Sequence, residues 1–158
     1  MAERDPYHSH SFEELCALPL VYHDQLFADQ VVLITGAAGG IGTAMSVLFG
    51  RLGATIVAAG RTEESLSRLA ADLATIDVVC DTVTMSVRDP DAVAAAIDQA
   101  TSAHGRIDHV INNAGGPPPG DFKDFTLDDW RTAVEGNMIT PIALIHATVY
   151  GMMERGFG

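Results

Sequence analysis

The sequence predicts an α/β fold, a doubly wound parallel sheet, and two observations carry that prediction. Short β-branched, apolar runs alternate with helical stretches, and the links between them are brief. Such alternation means successive βαβ units, whose right-handed crossovers give a parallel sheet with helices on both faces. The first run, VVLIT, is apolar throughout, as a strand covered on both sides requires. Four strands in the order 3-2-1-4 are the natural start of such a sheet.

Each element has its own signal. After VVLIT comes a glycine-rich turn and a helical stretch, IGTAMSVLFGRLG; TIVAAG is the second strand. TEESLSRLAADL predicts a helix, with Thr62 as N-cap and an acidic first turn. DTVTMSV is the third strand. DPDAVAAAIDQATSAHG is a helix capped by Asp89, with Pro90 at its first position and Gly105 past its end. IDHVINNAG contains the fourth strand, and a long helix starts at Asp128. Residues 1–28 form an N-terminal extension with one short helix at Phe12–Ala17, and residues 29–158 form the nucleotide-binding domain. His8 and His10 in that extension are expected to hold no metal.

Composition sets the outer limits. A chain of 158 residues with 47% apolar content supports one domain with a sizeable core. Its net charge of −12 argues against a nucleic-acid or anionic-membrane partner. Cys16 and Cys80 lack CxxC spacing and read as unpaired thiols of a reducing compartment. The N-terminus has no secretory pattern, and the apolar stretch 138–153 is too short to span a bilayer. A cytoplasmic protein is the expectation.

The most specific local pattern is Thr35-Gly36-Ala37-Ala38-Gly39-Gly40-Ile41-Gly42, set between a strand and a helix. Gly36 permits the tight turn, Gly40 lets the backbone approach a pyrophosphate, and Gly42 allows close helix–strand packing. The helix N-terminus offers unpaired N–H groups to phosphates, which overcomes the acidic overall charge locally. Gly36, Ala38, Gly39, Gly40, Ile41 and Gly42 are thus the predicted phosphate-binding set of a Rossmann-type site. A carboxylate at the end of the second strand would bind a ribose 2′-hydroxyl. That end reads AAGR, with Gly60 and Arg61, so a guanidinium is offered to a 2′-phosphate and NADP(H) is favoured over NAD(H).

The glycine pattern, Asn112-Asn113-Ala114-Gly115 after the fourth strand, and Trp130 followed seven residues later by Asn137 together resemble the short-chain dehydrogenase/reductase superfamily, in its compact single-domain branch. The resemblance runs from about Asp29 to the last residue. It implies that Asn113, Ala114 and Gly115 face the adenosine ribose and that Ser86 and Val87 lie beside the adenine. An aspartate is common where Ser86 stands, and many NADP-preferring relatives carry a basic residue where this chain has Gly39. The implied activity is hydride transfer between nicotinamide and an alcohol or carbonyl carbon of a small molecule. Asn137 is the implied member of the catalytic set.

The family's serine and Tyr-x-x-x-Lys pair do not occur in these residues. The resemblance implies that they follow a fifth strand, so the domain is expected to continue beyond Gly158. The alternative is a non-catalytic dinucleotide-binding protein that senses the cofactor or serves as an assembly subunit. A methyltransferase of similar topology is disfavoured, because the glycine spacing suits a pyrophosphate rather than a sulfonium. The loop GPPPGDFKDF is expected to be stiff, with Phe122 and Phe125 near a substrate entrance.

One stretch conflicts with its surroundings. EGNMITP places glycine, asparagine and proline inside an otherwise good helix. Pro141 has no N–H for the Asn137 carbonyl, so a kink and a freed carbonyl are expected there. The resemblance implies that this carbonyl holds a water of a proton relay. The helix of 138–153 is apolar nearly all round, which predicts burial on two sides. The resemblance assigns one of those sides to a second subunit, making the protein a homo-oligomer.

Overall fold

Even- and odd-numbered residues of the central strands go to opposite sides of one parallel sheet. The computed structural model describes residues 10–116 and 120–158, so His8 and the three prolines at 117–119 lie outside the described residues. Four strands, β1 (Val31–Thr35), β2 (Thr55–Gly60), β3 (Cys80–Thr84) and β4 (His109–Ile111), pair in parallel in the order β3-β2-β1-β4. Helices α2 (Gly40–Arg51), α3 (Glu63–Ala74) and α4 (Pro90–His104) are the crossovers. Val32, Ile34, Ile56 and Ala58 pack with Val47 of α2 and Leu66, Leu69 and Leu73 of α3. Leu33, Val57, Ala59 and Val83 pack with Val93, Ala96 and Ile97 of α4 and with Leu144. Period-2 alternation feeds two cores from the same strands, which is why these runs have no polar face.

The expected helix ends are mostly seen. Asp89 accepts N–H bonds from Asp91 and Ala92, Pro90 opens α4, and Gly105 closes it at φ 74°. Thr62 stands at the N-cap position of α3, but its side chain makes no capping bond. Helix α1 (Phe12–Ala17) is present, with a capping box between Ser11 and Glu14. It is not a loose appendage: Phe12, Leu15 and Cys16 pack against the α2/α3 core. Arg51 donates to the carbonyls of Leu15 and Leu18, the acceptors left over at the end of α1.

One expectation is corrected in the last third of the chain. The long helix is two helices, α5 (Leu127–Val134) and α6 (Thr140–Arg155), joined by a π turn at Glu135–Ile139 rather than by a simple kink. In a regular helix the Pro141 ring would clash with the Asn137 carbonyl. Widening the preceding turn by one residue relieves that clash, and the Thr140 N–H closes onto the Glu135 carbonyl. Burial of α6 is one-sided among the described residues. Only Thr140, Leu144 and Thr148 of α6 are buried, while Ile142, Ile145 and Met153 are 53%, 51% and 69% exposed. Among the described residues α6 has the sheet and α4 on one side and no layer on the other.

A second set of contacts binds the amino ends of the strands. Asp108, fully buried, accepts from the Val31 N–H at 2.9 Å and pairs with Arg106 at 2.7 Å. Arg155, at the end of α6, lies 3.8 Å from the same carboxylate and donates to the Ile107 carbonyl. Burial pushes the Asp108 carboxyl up, but Arg106, the Val31 N–H and Arg155 outweigh it and hold it below the usual carboxylate range. Burial pushes the Cys80 thiol up to about 11, so it behaves as a small apolar side chain. Among the described residues, no helix is long and apolar enough to cross a membrane. No group of three His, Cys, Asp or Glu among them is placed to hold a metal ion.

Candidate functional site

The carboxyl ends of all four parallel strands open into one cleft of about 670 Å³. This is the crevice that doubly wound sheets present to ligands, at the point where strand order reverses beside β1. A second cavity, about 460 Å³, lies between α4 and α6, lined by Ile97, Thr101, Ile107, Thr148 and Gly151. It borders the amino end of β4.

The glycine turn forms one end of the cleft. Gly36 stands at φ 65°, a conformation glycine adopts without strain. Its carbonyl accepts from the Gly39 N–H at 3.0 Å, closing the turn just before α2. Gly40 borders open space, so a ligand can reach the backbone there. Helix α2 begins with no side-chain cap, unlike α4 and α5, whose first N–H groups are taken by Asp89 and Thr126. Its orphan N–H groups are therefore left to solvent or to a ligand. Gly42 does not line the cleft. A Cβ there would stand 2.7 Å from both the Cα and the carbonyl oxygen of Ala37, so glycine serves close packing.

The floor is tied together by one hydroxyl. Thr35 Oγ1 accepts the N–H groups of Asn113 and Ala114, each at 3.0 Å, and donates to the Ile111 carbonyl. The Asn113 carboxamide donates to the carbonyls of Thr35 and Gly36 at 3.0 and 3.3 Å. It is thus turned towards β1 as a brace, while Ala114 and Gly115 continue along the cleft wall.

Of the predicted residues, Gly36, Ala38, Gly39, Gly40, Ile41, Arg61, Ser86, Val87, Asn113, Ala114 and Gly115 all line this cleft. Arg61 makes no ion pair among the described residues, and Glu64 is held by Arg68 at 3.1 Å. Asn137 stands just behind the lining. Its carboxamide donates to the Ala133 carbonyl at 2.7 Å. Gly115, at φ 140°, passes so close that a Cβ would lie 2.9 Å from Asn137 Oδ1 and 3.1 Å from the Gly136 carbonyl. The π turn is therefore docked directly on the loop after β4.

Arg88 and Gly136 are among the lining residues outside the predicted set. Arg88 sits two positions past Ser86 in the same loop, but nothing local signals which way its side chain runs. In the sequence Gly136 reads as a helix breaker; in the fold it is buried at the cleft wall.

Comparison with known proteins follows the same outline. The family model described as short chain dehydrogenase matches residues 30–158. Sulfoacetaldehyde reductase 2 of Chromohalobacter salexigens is 36% identical over 131 residues, which cover 81% of this chain and 51% of that protein. A metagenomic short-chain oxidoreductase solved in complex with NADP superposes with a TM-score of 0.77 at 29% identity, covering 84% of this chain and 60% of that one. NAD+-bound xylitol dehydrogenase superposes with a TM-score of 0.76 at 26% identity, over 84% of this chain and 52% of that one. The chain spans about half the length of the curated relatives it matches. With the family model matching nearly all of the chain beyond its first 29 residues, the chain belongs to the short-chain dehydrogenase family.

Proposed function

We propose that this chain supplies the cofactor-binding part of an NAD(P)-dependent oxidoreductase acting on an alcohol or carbonyl of a small molecule. The observation that carries this reading is the uncapped start of α2 over a glycine turn, opening into a cleft built from the strands' carboxyl ends. A pyrophosphate fits there, because the N–H groups of Gly40, Ile41 and Gly42 have no acceptor in the first helical turn. Thr35 and Asn113 hold the turn and the β4 loop in place, and Ala114 and Gly115 offer backbone to a ribose. The cofactor, once bound, supplies the hydride-transfer chemistry.

Arg61 supports NADP(H) over NAD(H): a free guanidinium stands where a 2′-hydroxyl reader would need a carboxylate. The similar structures include both an NADP complex and an NAD+ complex, so the support for NADP(H) comes from Arg61 alone. Asn137, against Gly115, is the member of the catalytic set within these residues. Its bond to the Ala133 carbonyl fixes the side chain, leaving the π turn's backbone to face the reaction. The family's serine and tyrosine–lysine pair do not occur in these residues. We further propose association through the apolar outer face of α6, in a cytoplasmic homo-oligomer. Sedimentation of an Ile145→Glu variant of the full polypeptide tests it: a smaller species is expected, and an unchanged mass overturns the interface.

Fluorescence titration of the full polypeptide with NADPH and NADH tests the cofactor reading. Tighter binding of NADPH is expected, with the preference lost in Arg61→Ala. No binding of either nucleotide would overturn the assignment; binding without any turnover of alcohols or carbonyls would make the protein a cofactor sensor instead.

A further inference from the structure

One charged group in the cleft has no task in the reading above. Arg88 follows β3 on the loop into α4, and Arg61 follows β2 on the loop into α3. Those loops leave the sheet on opposite sides: α3 packs with one core, α4 and α6 with the other. The two arginines therefore flank the cleft from opposite walls. The Arg88 guanidinium lies along the buried backbone of Gly136, with Nη2 and Nε 3.7 and 3.9 Å from where a Cβ would stand. A Cβ at 136 would meet the guanidinium in ordinary van der Waals contact.

Nothing nearby neutralises Arg88. Among the described residues it makes no ion pair. The adjacent Asp89 is committed to capping α4. Ser86 is uncharged, and its hydroxyl accepts only the Arg88 backbone N–H at 3.4 Å. A cation is thus kept available in a cleft of an otherwise acidic protein.

Strand order says which part of a nucleotide it meets. The glycine turn lies on β1, Arg61 at the end of β2, and Arg88 beyond β3, the outermost strand. Successive strands are about 4.8 Å apart, so the Arg88 backbone stands roughly 10 Å from the pyrophosphate position across the sheet, and its side chain reaches back towards Gly136. A dinucleotide laid pyrophosphate on β1 and ribose on β2 brings its base to β3. Resting on that dinucleotide reading, we propose that Arg88 is a base-holding residue, its guanidinium plane backed by Gly136 and covering the adenine. Arginine only donates, so it cannot accept the adenine amino protons as a carboxylate would; it offers a flat cation to the ring face instead. Arg61 discriminates between the two cofactors, whereas Arg88 serves both.

Titration of NADPH and NADH into the full polypeptide and its Arg88→Ala, Arg88→Lys and Arg61→Ala variants separates the possibilities. Arg88→Ala is expected to weaken both cofactors by a similar factor, about tenfold. Arg88→Lys should recover only part of that loss, because the ammonium lacks the plane. Unchanged affinity for both cofactors in Arg88→Ala overturns the proposal, and so does a loss confined to NADPH, which would make Arg88 a phosphate ligand. If the unaltered protein binds neither cofactor, the dinucleotide reading itself fails, an outcome distinct from an inert Arg88.

Discussion

At the scale of single residues, glycine does two unlike jobs in this cleft. Gly40 borders open space and leaves room for a ligand, whereas Gly42 is hemmed in by the backbone of Gly36 and Ala37. The two positions should respond differently to one added methyl. Gly42→Ala forces α2 away from β1, and we expect it to cost about 2 kcal/mol or more, with cofactor binding lost in parallel. A melting temperature lower by roughly 5 °C or more would accompany it, and unchanged stability would refute the packing role. Gly40→Ala should instead leave stability nearly intact and weaken cofactor binding. Arg88 illustrates the other side of residue-level inference. It is an ordinary charged loop residue until the fold carries Gly136, distant in sequence, alongside its guanidinium.

At the scale of elements, the π turn is the most consequential piece of local structure. It lengthens one turn between α5 and α6, and each residue of an α-helix turns about 100° around its axis. Pro141→Ala restores the missing N–H and removes the ring clash, favouring a regular helix through 135–141. Losing the extra residue would rotate Asn137 away from Gly115. We expect turnover to fall by about tenfold or more and cofactor affinity to fall by a smaller factor, as Gly115 and Arg88 both lose backing from the π turn. Steady-state kinetics of the protein and the variant check this, and equal activity would reduce Pro141 to a packing residue.

Strands, crossovers and caps were legible because their causes are local: β-branched runs, Asp89-Pro90, Gly105. The β3-β2-β1-β4 order followed from crossover rules that depend on chirality alone. The form of the interruption was not legible, since a kink and a π turn answer the same proline. The docking of α1 on α2 also escaped, because a capping box predicts a helix but not its partner.

At the scale of the whole molecule, the amino ends of β1 and β4 and the end of α6 share one buried carboxylate. The folded state lowers the Asp108 pKa, so deprotonated Asp108 contributes stability that is complete above the ordinary carboxylate value. That stability is lost as pH falls through the lower folded value. We expect denaturant midpoints to hold from pH 7 to about 5 and then to drop faster than in Asp108→Asn as pH falls below about 4. The variant itself should be less stable by about 2 kcal/mol or more at pH 7, because Arg106 and the Val31 N–H lose their charged acceptor. Parallel acid profiles for the two proteins would remove Asp108 from the acid response.

The same carboxylate has a mechanical counterpart at the other end of the strands. Strand β4 meets β1 over just three register pairs, Val32 with His109, Leu33 with Val110 and Ile34 with Ile111. Asp108 grips β1 below those pairs and Thr35 grips the β4 loop above them. A pull along the strand axis must therefore break both side-chain latches together with the ladder, so β4 resists sliding far better than its length suggests. The nucleotide floor inherits that stiffness, because its upper latch is the hydroxyl that holds Asn113 and Ala114 in place.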